Sequence, residues 1–219
     1  MVFAKPAVPG RVKSRLIPPL TPEAAAQFHL VALTDVLSAA RDVSPRIELW
    51  VAGGAAEQEC FRERHPGVRV TGQRGPDLGQ RLRHAFDEVF RSGAERVLIV
   101  GSDHPSLPAD HLRQLLEGLN ETDVALGPSE DGGYYAVAIR RAAWPVAAAL
   151  FDSMPWSSTG LLAATLDRAA DSGLSVQLGP SWYDVDEAAD LERLRGDAEP
   201  GSATATFLRE LDRGSEGQA

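Results

Sequence analysis

The sequence predicts an α/β protein with a mostly parallel sheet, and three observations lead to that class. Short segments rich in β-branched and aromatic residues alternate with helical segments along the first two thirds of the chain, which is the pattern of right-handed βαβ units. The run RVLIVG (96–101) is almost wholly apolar, as expected for a strand buried on both faces. With 219 residues and 43% hydrophobic composition, the chain can build one full core.

The predicted elements follow one another closely. The first strand lies in MVFAK (1–5), and the first helix begins at Thr21-Pro22-Glu23, because Thr caps a helix, Pro suits its first turn and Glu suits its dipole. Strands are predicted at 47–52, 68–71, 96–101, 123–128, 134–139 and 174–178, and helices at 22–40, 55–65, 79–92, 108–119, 142–150, 159–172 and in the last part of WYDVDEAADLERL (182–194).

The domain organisation is predicted to be simple. One domain is expected over residues 1–196, since no linker interrupts the pattern of elements. The tail over residues 197–219 is rich in Gly, Ser, Ala and Glu and contains one weak amphipathic patch, TATFLREL (204–211). We therefore expect the tail to be partly disordered.

Composition and charge exclude several classes of protein. A net charge of −9 and a pI near 5.0 disfavour nucleic-acid binding, which needs a basic face. The single cysteine, Cys60, excludes an intramolecular disulfide and a cysteine zinc cluster. No apolar run reaches transmembrane length, and the N-terminus lacks a signal-peptide core, so we expect a cytoplasmic monomer or homodimer without a membrane partner.

The loop in FAKPAVPGRVKSRL (3–16) holds both lysines of a chain whose other 20 basic residues are arginines. Lys5, Arg11, Lys13 and Arg15 form a local basic patch, with no acid before Glu23. Lysine meets phosphate as a compact point charge, and glycine at position 10 lets the backbone approach an anion. The loop is therefore a candidate phosphate site; the alternative is a solvated basic arm.

Polar residues follow several of the predicted strands. Ligands of open α/β sheets lie outside the carboxyl ends of the strands. The loops at that edge are expected to be 5–15, 72–79, 101–108, 128–133 and 183–187. The sequence therefore predicts one cleft that all five loops line.

Two of these loops carry candidate metal ligands. Asp103 stands at the tip of the buried run RVLIVG, and a Mg²⁺ ion that bridges phosphates needs one or two such carboxylates. Asp184 and Asp186 are two residues apart, so both side chains face the same side of an extended segment. The alternative for Asp103 and for Asp186 is that each only caps the helix that follows it. His104 is expected to have a structural role.

A pocket for a second substrate is predicted from two further segments. SEDGG (129–133) combines acids with two glycines that permit close approach, although a plain hairpin turn also explains the glycines. MPWSSTG (154–160) offers an aromatic wall and hydroxyls; the alternative is a core Trp beside a helix cap. The expected acceptor-binding residues are Glu130, Asp131, Gly132, Gly133, Tyr134, Trp156, Ser157 and Ser158.

The motifs together resemble a known family. FAKPAVPGRVKSRL, DLGQRL, GSDHPSL, DVALGPSEDGGYY, PWSST and YDVDEAADL occur in this order between about Phe3 and Leu194. They resemble the DUF2064 family of glycosyltransferase-A-like proteins, some described as arsenosugar-pathway or selenodomain-associated transferases. That family is similar to the 2-phospho-L-lactate guanylyltransferases and the molybdenum-cofactor nucleotidyltransferases. Ser14 and Ser158 depart from it, since Thr is expected at both positions.

The resemblance implies a fold and a set of roles. The fold is that of the nucleotide-diphospho-sugar transferases, a single-domain Rossmann-like αβα sandwich with a mixed, mostly parallel sheet. The resemblance implies that Asp103 is a metal ligand, with Asp186 as a second candidate, and that Lys5, Gly10, Lys13 and Arg15 hold the nucleotide phosphates. We expect the metal to be Mg²⁺ or Mn²⁺, with Asp184 as a further candidate ligand, and we expect Lys13, Arg15 and Asp103 to be the catalytic residues. The nucleotide is expected to contact Ala4, Lys5, Pro6, Gly10, Lys13, Arg15, Gln73, Gly79, Arg81 and Ser102.

Three functions remain open at this point. The favoured one is nucleotidyl transfer from a nucleoside triphosphate to a small phosphorylated or oxyanion acceptor, with release of pyrophosphate, because such transfer needs mainly cations and positioning. The second is glycosyl transfer from a nucleotide sugar, although Ser102-Asp103-His104 lacks the second acid of an Asp-x-Asp motif. The third is a non-catalytic nucleotide-binding partner of another enzyme.

Overall fold

The structure of the protein is a computed structural model, described here for residues 1–216. Its seven strands are β1 (Val2–Ala4), β2 (Glu48–Val51), β3 (Arg69–Gly72), β4 (Arg96–Gly101), β5 (Val124–Pro128), β6 (Tyr134–Arg140) and β7 (Val176–Leu178). The α-helices are α1 (Pro22–Arg41), α2 (Ala55–Arg64), α3 (Leu78–Arg91), α4 (Ala109–Gly118), α5 (Trp144–Ala147), α6 (Leu161–Asp171), α7 (Ala188–Asp197) and α8 (Ala203–Glu216). Short 3-10 turns cover Ser14–Leu16, Arg141–Ala143 and Ala148–Phe151.

All seven strands form one sheet in the order β3-β2-β1-β4-β6-β5-β7. Every neighbouring pair is parallel except the two pairs that involve β6, which runs antiparallel to β4 and β5. The predicted fold class is therefore confirmed. The chain order reverses between β1 and β4, and in such sheets ligands bind at the carboxyl ends beside this switch point.

The reversed strand follows from the short connection between β5 and β6. Only residues 129–133 separate the two strands, which is too short for the crossover that a parallel pair requires. Gly132 has φ 88°, and a Cβ atom there would strike the backbone of Thr159, so the turn depends on this glycine. The turn places residues 129–133 at the same edge as the carboxyl ends of β1 and β4.

The helices cover both faces of the sheet because apolar side chains of the strands alternate between them. Val2 and Ala4 belong to the core formed with α1, α2 and α4. Phe3 faces the opposite core, where it stacks on Trp50 at a centroid distance of 6.2 Å and lies with side chains of α3, α5 and α6. The strand ends are thus fixed by two cores at once.

The segment after Asp197 differs from the expectation of a partly disordered tail. α8 begins where the carboxylate of Asp35 in α1 accepts the backbone N–H groups of Ala203 and Thr204 at 2.9 and 2.8 Å. Phe207 packs on Phe28 at a centroid distance of 5.9 Å, and Leu208 is only 3% exposed. The weak amphipathic patch is therefore a helix stabilised by burial against α1, and residues 217–219 lie outside the described residues.

No helix within residues 1–216 combines the length and the apolar character that crossing a bilayer requires.

The packing of α8 predicts the effect of shortening one of its buried side chains. Leu208→Ala is expected to lower the free energy of unfolding by about 2–5 kcal/mol, because it removes a buried side chain and leaves a cavity. Urea unfolding followed by circular dichroism measures this change. The control is Leu178→Ala, at a leucine that is 47% exposed, which is expected to change little. Equal effects of the two variants would show that α8 does not contribute to the core.

Candidate active site

Three segments distant in sequence meet at the ammonium group of Lys13. Its Nζ lies 2.6 Å from Asp103 Oδ1 and 2.9 Å from Asp186 Oδ1, and it donates a hydrogen bond of 2.7 Å to the carbonyl oxygen of Val185. Lys13 lies in the loop after β1, Asp103 directly follows β4, and Asp186 precedes α7. Three of the five loops predicted to line one cleft therefore meet at this ammonium group.

The local backbone directs Lys13 inward. The residue has the left-handed values φ 49° and ψ 37°, which few side chains adopt, and the 3-10 turn that follows buries Leu16 completely. Only 3% of the Lys13 side chain is exposed. All three N–H bonds of the ammonium group have an oxygen partner, so every hydrogen-bond donor of the Lys13 side chain is satisfied within the protein.

The ion pair changes the protonation of its members. Burial alone would raise the pKa of Asp103, but the Lys13 ammonium, together with the nearby rings of His29 and His104, holds that pKa well below its usual range. Burial lowers the pKa of Lys13, and the carboxylates of Asp103 and Asp186 more than restore it, so the pKa is raised. Both groups are charged at neutral pH.

Arg15 lies at the rim of this cluster. Its guanidinium is 3.6 Å from Asp186 Oδ2 and also pairs with Glu187, and 63% of the side chain is exposed. The side chain of Asp190 accepts the backbone N–H groups of Asp186 and Glu187 at 2.9 and 2.7 Å. The carboxylate of Asp186 is therefore not the cap of α7, and it points toward Lys13.

Asp184 carries a charge that the cluster does not compensate. Burial, followed by repulsion from Asp186, raises the pKa of Asp184 to about 6. No ion pair of Asp184 is found within residues 1–216, and the hydroxyl of Ser129 donates to its carboxylate at 3.5 Å. The site thus contains three carboxylates, those of Asp103, Asp186 and Asp184, beside one buried ammonium group.

The carboxylates around Lys13 are candidate ligands of a divalent metal. Magnesium is bound by one or two carboxylates together with substrate phosphates and water. No cluster of three or more His, Cys, Asp or Glu side chains in the described residues is arranged to hold a metal alone. Asp103 and Asp186 nevertheless direct one oxygen each to the same point, which Lys13 Nζ occupies. These two residues fit a metal that is shared with a phosphate ligand.

A cavity of about 280 Å³ opens beside Asp103 and Asp184. Of the predicted acceptor-binding residues, those that line it are Asp131, Gly133, Tyr134, Trp156, Ser157 and Ser158. Tyr134 and Trp156 meet edge to face at a centroid distance of 6.5 Å, and Trp156 packs on the second core, so the wall serves the pocket and the core together.

Glu130 and Gly132 have other positions than predicted. The Glu130 carboxylate forms two hydrogen bonds with the Arg193 guanidinium, at 2.8 and 3.1 Å, so it ties the β5–β6 turn to α7. Gly132 shapes the turn, and its carbonyl oxygen accepts the N–H of Leu162. Neither residue lines the cavity.

Three of the residues predicted to contact the nucleotide have partners within the protein. The Gln73 amide donates to the carbonyl oxygens of Ala4 and Trp50 at 3.2 and 2.8 Å, so it joins three strand ends. Gly79 is buried, and a Cβ atom there would lie 2.9 Å from Trp156 Nε1 and closer to a backbone oxygen. Arg81 Nε donates to the carbonyl oxygen of Gly75 at 2.9 Å.

The remaining residues predicted to contact the nucleotide lie at the end of β1, in the loop that follows it, or next to Asp103 in sequence. Ala4 ends β1, and Lys5 follows it with an exposed side chain that forms no ion pair within the described residues. Gly10 has φ 73° and open space around its Cα hydrogens. Pro6 contacts the turn before α2, and Ser102 is buried next to Asp103.

His104 is a pocket residue that the sequence did not reveal. It is 6% exposed, lines the cavity, and its Nδ1 lies 3.0 Å from the carbonyl oxygen of Tyr183. A lone histidine in GSDHP gives no signal of its own, because its role depends on the distant segment that contains Tyr183.

The sequence of this chain is similar to a family model and to two curated proteins. Residues 35–158, more than half of the chain, match the family model described as an uncharacterized protein conserved in bacteria, DUF2064. A phosphoenolpyruvate guanylyltransferase of Sphaerobacter thermophilus is 32% identical over 88% of this chain and 90% of its own length. A 2-phospho-L-lactate guanylyltransferase of Halorubrum lacusprofundi is 32% identical over 91% of this chain and 88% of its own.

Solved structures give the same fold. A protein of Desulfovibrio desulfuricans G20, assigned to the nucleotide-diphospho-sugar transferases, superposes with a TM-score of 0.85 at 30% identity, over 97% of this chain and 94% of its own. Rv0371c of Mycobacterium tuberculosis, solved in complex with manganese, superposes with a TM-score of 0.54 at 17% identity, over 88% of this chain and 95% of its own.

The raised pKa of Asp184 predicts a pH-dependent gain of stability. Its folded pKa of about 6 lies above the ordinary value of 3.8, so the charged form costs stability once the pH rises through about 6. Asp184→Asn removes that cost and is expected to raise the thermal midpoint at about pH 8 and not near pH 4. Asp171→Asn, at an exposed position of α6, is the control. A gain of equal size at both pH values would contradict the assignment.

The ion pairs of Lys13 predict how Mn²⁺ changes the thermal midpoint of a variant that lacks this lysine. Lys13→Met is expected to lower the thermal midpoint in metal-free buffer, because it leaves Asp103 and Asp186 without their cation. Added Mn²⁺ is expected to raise the midpoint of this variant more than that of the wild-type protein, since the ion can then take the place of the ammonium group. Lys5→Met, which removes an exposed lysine, is the control. Equal Mn²⁺ effects in all three proteins would contradict a shared cation position.

Proposed function

This chain belongs to the DUF2064 family, and from that membership and the geometry of the site we propose that it is a metal-dependent nucleotidyltransferase. The proposed reaction moves a nucleoside monophosphate from a nucleoside triphosphate to a small phosphorylated acceptor. An oxygen of the acceptor forms a bond with the α-phosphorus, and the bond between that phosphorus and its bridging oxygen breaks. Pyrophosphate leaves with the electron pair of the broken bond.

The contact of Lys13 with Asp103 and Asp186 carries the proposal. It places a cation and two carboxylates at the switch point of the sheet, where phosphate ligands of this fold class bind. Arg15 lies at the rim of the same cluster, and Lys5 and Arg11 are exposed in the same loop. Such a cluster suits a triphosphate, because most of the catalysis of phosphoryl transfer consists of positioning and charge stabilisation.

The basic residues have separable roles in this reaction. The exposed Lys5, Arg11 and Arg15 bind the triphosphate, and Arg15 offers a planar fork to phosphate oxygens. Lys13 is buried and neutralises the carboxylates until the nucleotide binds. The charge that develops on the leaving pyrophosphate then attracts the ammonium group, so Lys13 contributes more to turnover than to nucleotide affinity.

Asp103 and Asp186 would hold the divalent metal, Mg²⁺ or Mn²⁺. When bound, the ion neutralises charge on the phosphates and polarises the reacting phosphoryl group. Lys13 and the ion require the same two carboxylate oxygens, so phosphates that draw Lys13 away favour metal binding. The manganese complex of Rv0371c, a protein with the same fold, supports this choice of cofactor.

The relatives supply the first substrates to test. Both curated relatives at 32% identity are named as guanylyltransferases, which favours GTP as the nucleotide. Their names also give phosphoenolpyruvate and 2-phospho-L-lactate as acceptors for comparison.

Glycosyl transfer is the second candidate, because the D. desulfuricans protein at 30% identity is assigned to the nucleotide-diphospho-sugar transferases. The two functions differ in the leaving group. Nucleotidyl transfer releases pyrophosphate, whereas transfer of a sugar releases a nucleotide.

The proposal predicts metal-dependent release of pyrophosphate. The protein is incubated with each nucleoside triphosphate, Mg²⁺ and a panel of phosphorylated acceptors, and pyrophosphate is measured with a coupled assay while the diphosphate product is identified by mass spectrometry. GTP is expected to give the highest rate, and chelation of the metal to abolish it. Release of a nucleotide from nucleotide sugars, without pyrophosphate release from any triphosphate, would favour glycosyl transfer instead.

Variants connect this activity with the site. Asp103→Asn is expected to reduce turnover at least about a hundredfold without loss of the fold, since it weakens the metal site. Asp110→Asn, at an exposed acid of α4 that pairs with Arg113, is the matched control and is expected to keep wild-type turnover. Full activity of Asp103→Asn would remove Asp103 from the site.

A further inference from the structure

The cavity beside the carboxylates carries information on the acceptor. Asp131 and Asp184 both line it, and neither forms an ion pair within residues 1–216. Asp131 Oδ1 accepts the backbone N–H of Gly133 at 2.9 Å, which fixes the carboxylate at the turn before β6.

His104 adds a third group of the same kind. The backbone oxygen of Tyr183 can only accept, so the contact of 3.0 Å requires that Nδ1 of His104 carries the proton. Nε2 of this residue, which is 6% exposed, has no hydrogen-bond partner among the described residues, and the ring lines the cavity. With the proton on Nδ1, Nε2 offers its lone pair to a hydrogen-bond donor of a ligand.

Cationic side chains are missing from this wall. Within residues 1–216, no Lys or Arg lines the cavity. Lys13 directs its three N–H bonds to Asp103, Asp186 and Val185, and the nearby Arg193 holds Glu130. The other polar groups of the lining are the carboxylate of Asp103 and the hydroxyls of three serines, at positions 129, 157 and 158. The rings of Tyr134 and Trp156 and apolar side chains such as Leu82 and Ile99 complete the wall.

From this lining we propose that the acceptor is a phosphate ester whose remote end donates hydrogen bonds, through a hydroxyl or an ammonium group, to Asp131, Asp184 and His104. The inference rests on the proposed function, because it concerns the second substrate of that reaction. It differs from the acceptors after which the two curated relatives are named, since phosphoenolpyruvate and 2-phospho-L-lactate both carry a carboxylate.

The physical reason is complementarity of charge and of hydrogen-bonding direction. A carboxylate at the remote end would lie beside two uncompensated carboxylates and a lone pair, and like charges in a partly buried site repel. A hydroxyl or ammonium group satisfies the same three acceptors. The aromatic faces of Tyr134 and Trp156 favour an ammonium group further.

Four ligands with one skeleton test the inference. They are ethyl phosphate, 2-hydroxyethyl phosphate, O-phosphoethanolamine and 2-phosphoglycolate, whose remote ends are a methyl, a hydroxyl, an ammonium group and a carboxylate. Calorimetry measures the affinity of each for the protein with Mg²⁺ and a GTP analogue that has a non-cleavable α,β-bridge. The hydroxyl and ammonium ligands are expected to bind at least about tenfold more tightly than the methyl and carboxylate ligands.

Two near-isosteric variants identify the groups responsible. Asp131→Asn retains the oxygen that caps the turn and removes the charge, so the preference for O-phosphoethanolamine over ethyl phosphate is expected to fall to about threefold or less. His104→Asn retains a donor for the Tyr183 carbonyl oxygen and removes Nε2, so the preference for 2-hydroxyethyl phosphate is expected to fall. Asp110→Asn is expected to leave all four affinities unchanged.

Each outcome decides the inference. Tightest binding of 2-phosphoglycolate, equal binding of all four ligands, or binding of none overturns it, and so does an unchanged order in both Asp131→Asn and His104→Asn. Pyrophosphate release from GTP with phosphoenolpyruvate is measured in parallel. If pyrophosphate is released and any of these results is also obtained, the proposed function stands and only the inference about the acceptor is overturned.

Discussion

The arrangement of the site depends on the ion pair between Lys13 and the two carboxylates of Asp103 and Asp186. This contact joins the loop after β1, the tip of β4 and the segment before α7, which are separated by more than 80 residues each. A buried charge is costly unless it is paired, so none of the three segments can move away alone without leaving a charge uncompensated. The geometry of the cleft is therefore set by electrostatics and not only by packing.

The balance of positive and negative charges around this ion pair determines which ligands the site favours. Lys13 supplies one buried positive charge, while Asp103, Asp186 and Asp184 supply three carboxylates. Burial, followed by repulsion from Asp186, raises the pKa of Asp184. A site with surplus negative charge stabilises a bound cation and a hydrogen-bond donor, and it repels a carboxylate. The same imbalance that costs stability thus favours particular ligands.

The structure also shows why roles were harder to predict than positions. Lys5 and Lys13 stand eight residues apart in one loop, yet one is exposed and the other is only 3% exposed, because the left-handed conformation of Lys13 turns its side chain inward. Gln73 and Gly79 lie in a loop at the correct edge of the sheet, but their partners are strand ends and the Trp156 segment. A sequence shows which residues follow a strand, whereas their hydrogen-bond partners depend on distant segments.

The sequence by itself determined the α/β class, the positions of the elements and the edge of the sheet at which the polar loops meet, because these follow from local hydrophobic periodicity and from the rule for parallel strands. Tertiary structure alone decided the rest. α8 is a helix because α1 offers it an apolar face and the Asp35 cap. His104 presents Nε2 to the cavity because Tyr183, 79 residues away, accepts its other proton. Such partners are brought together only by folding, since no local pattern encodes a contact between segments so far apart.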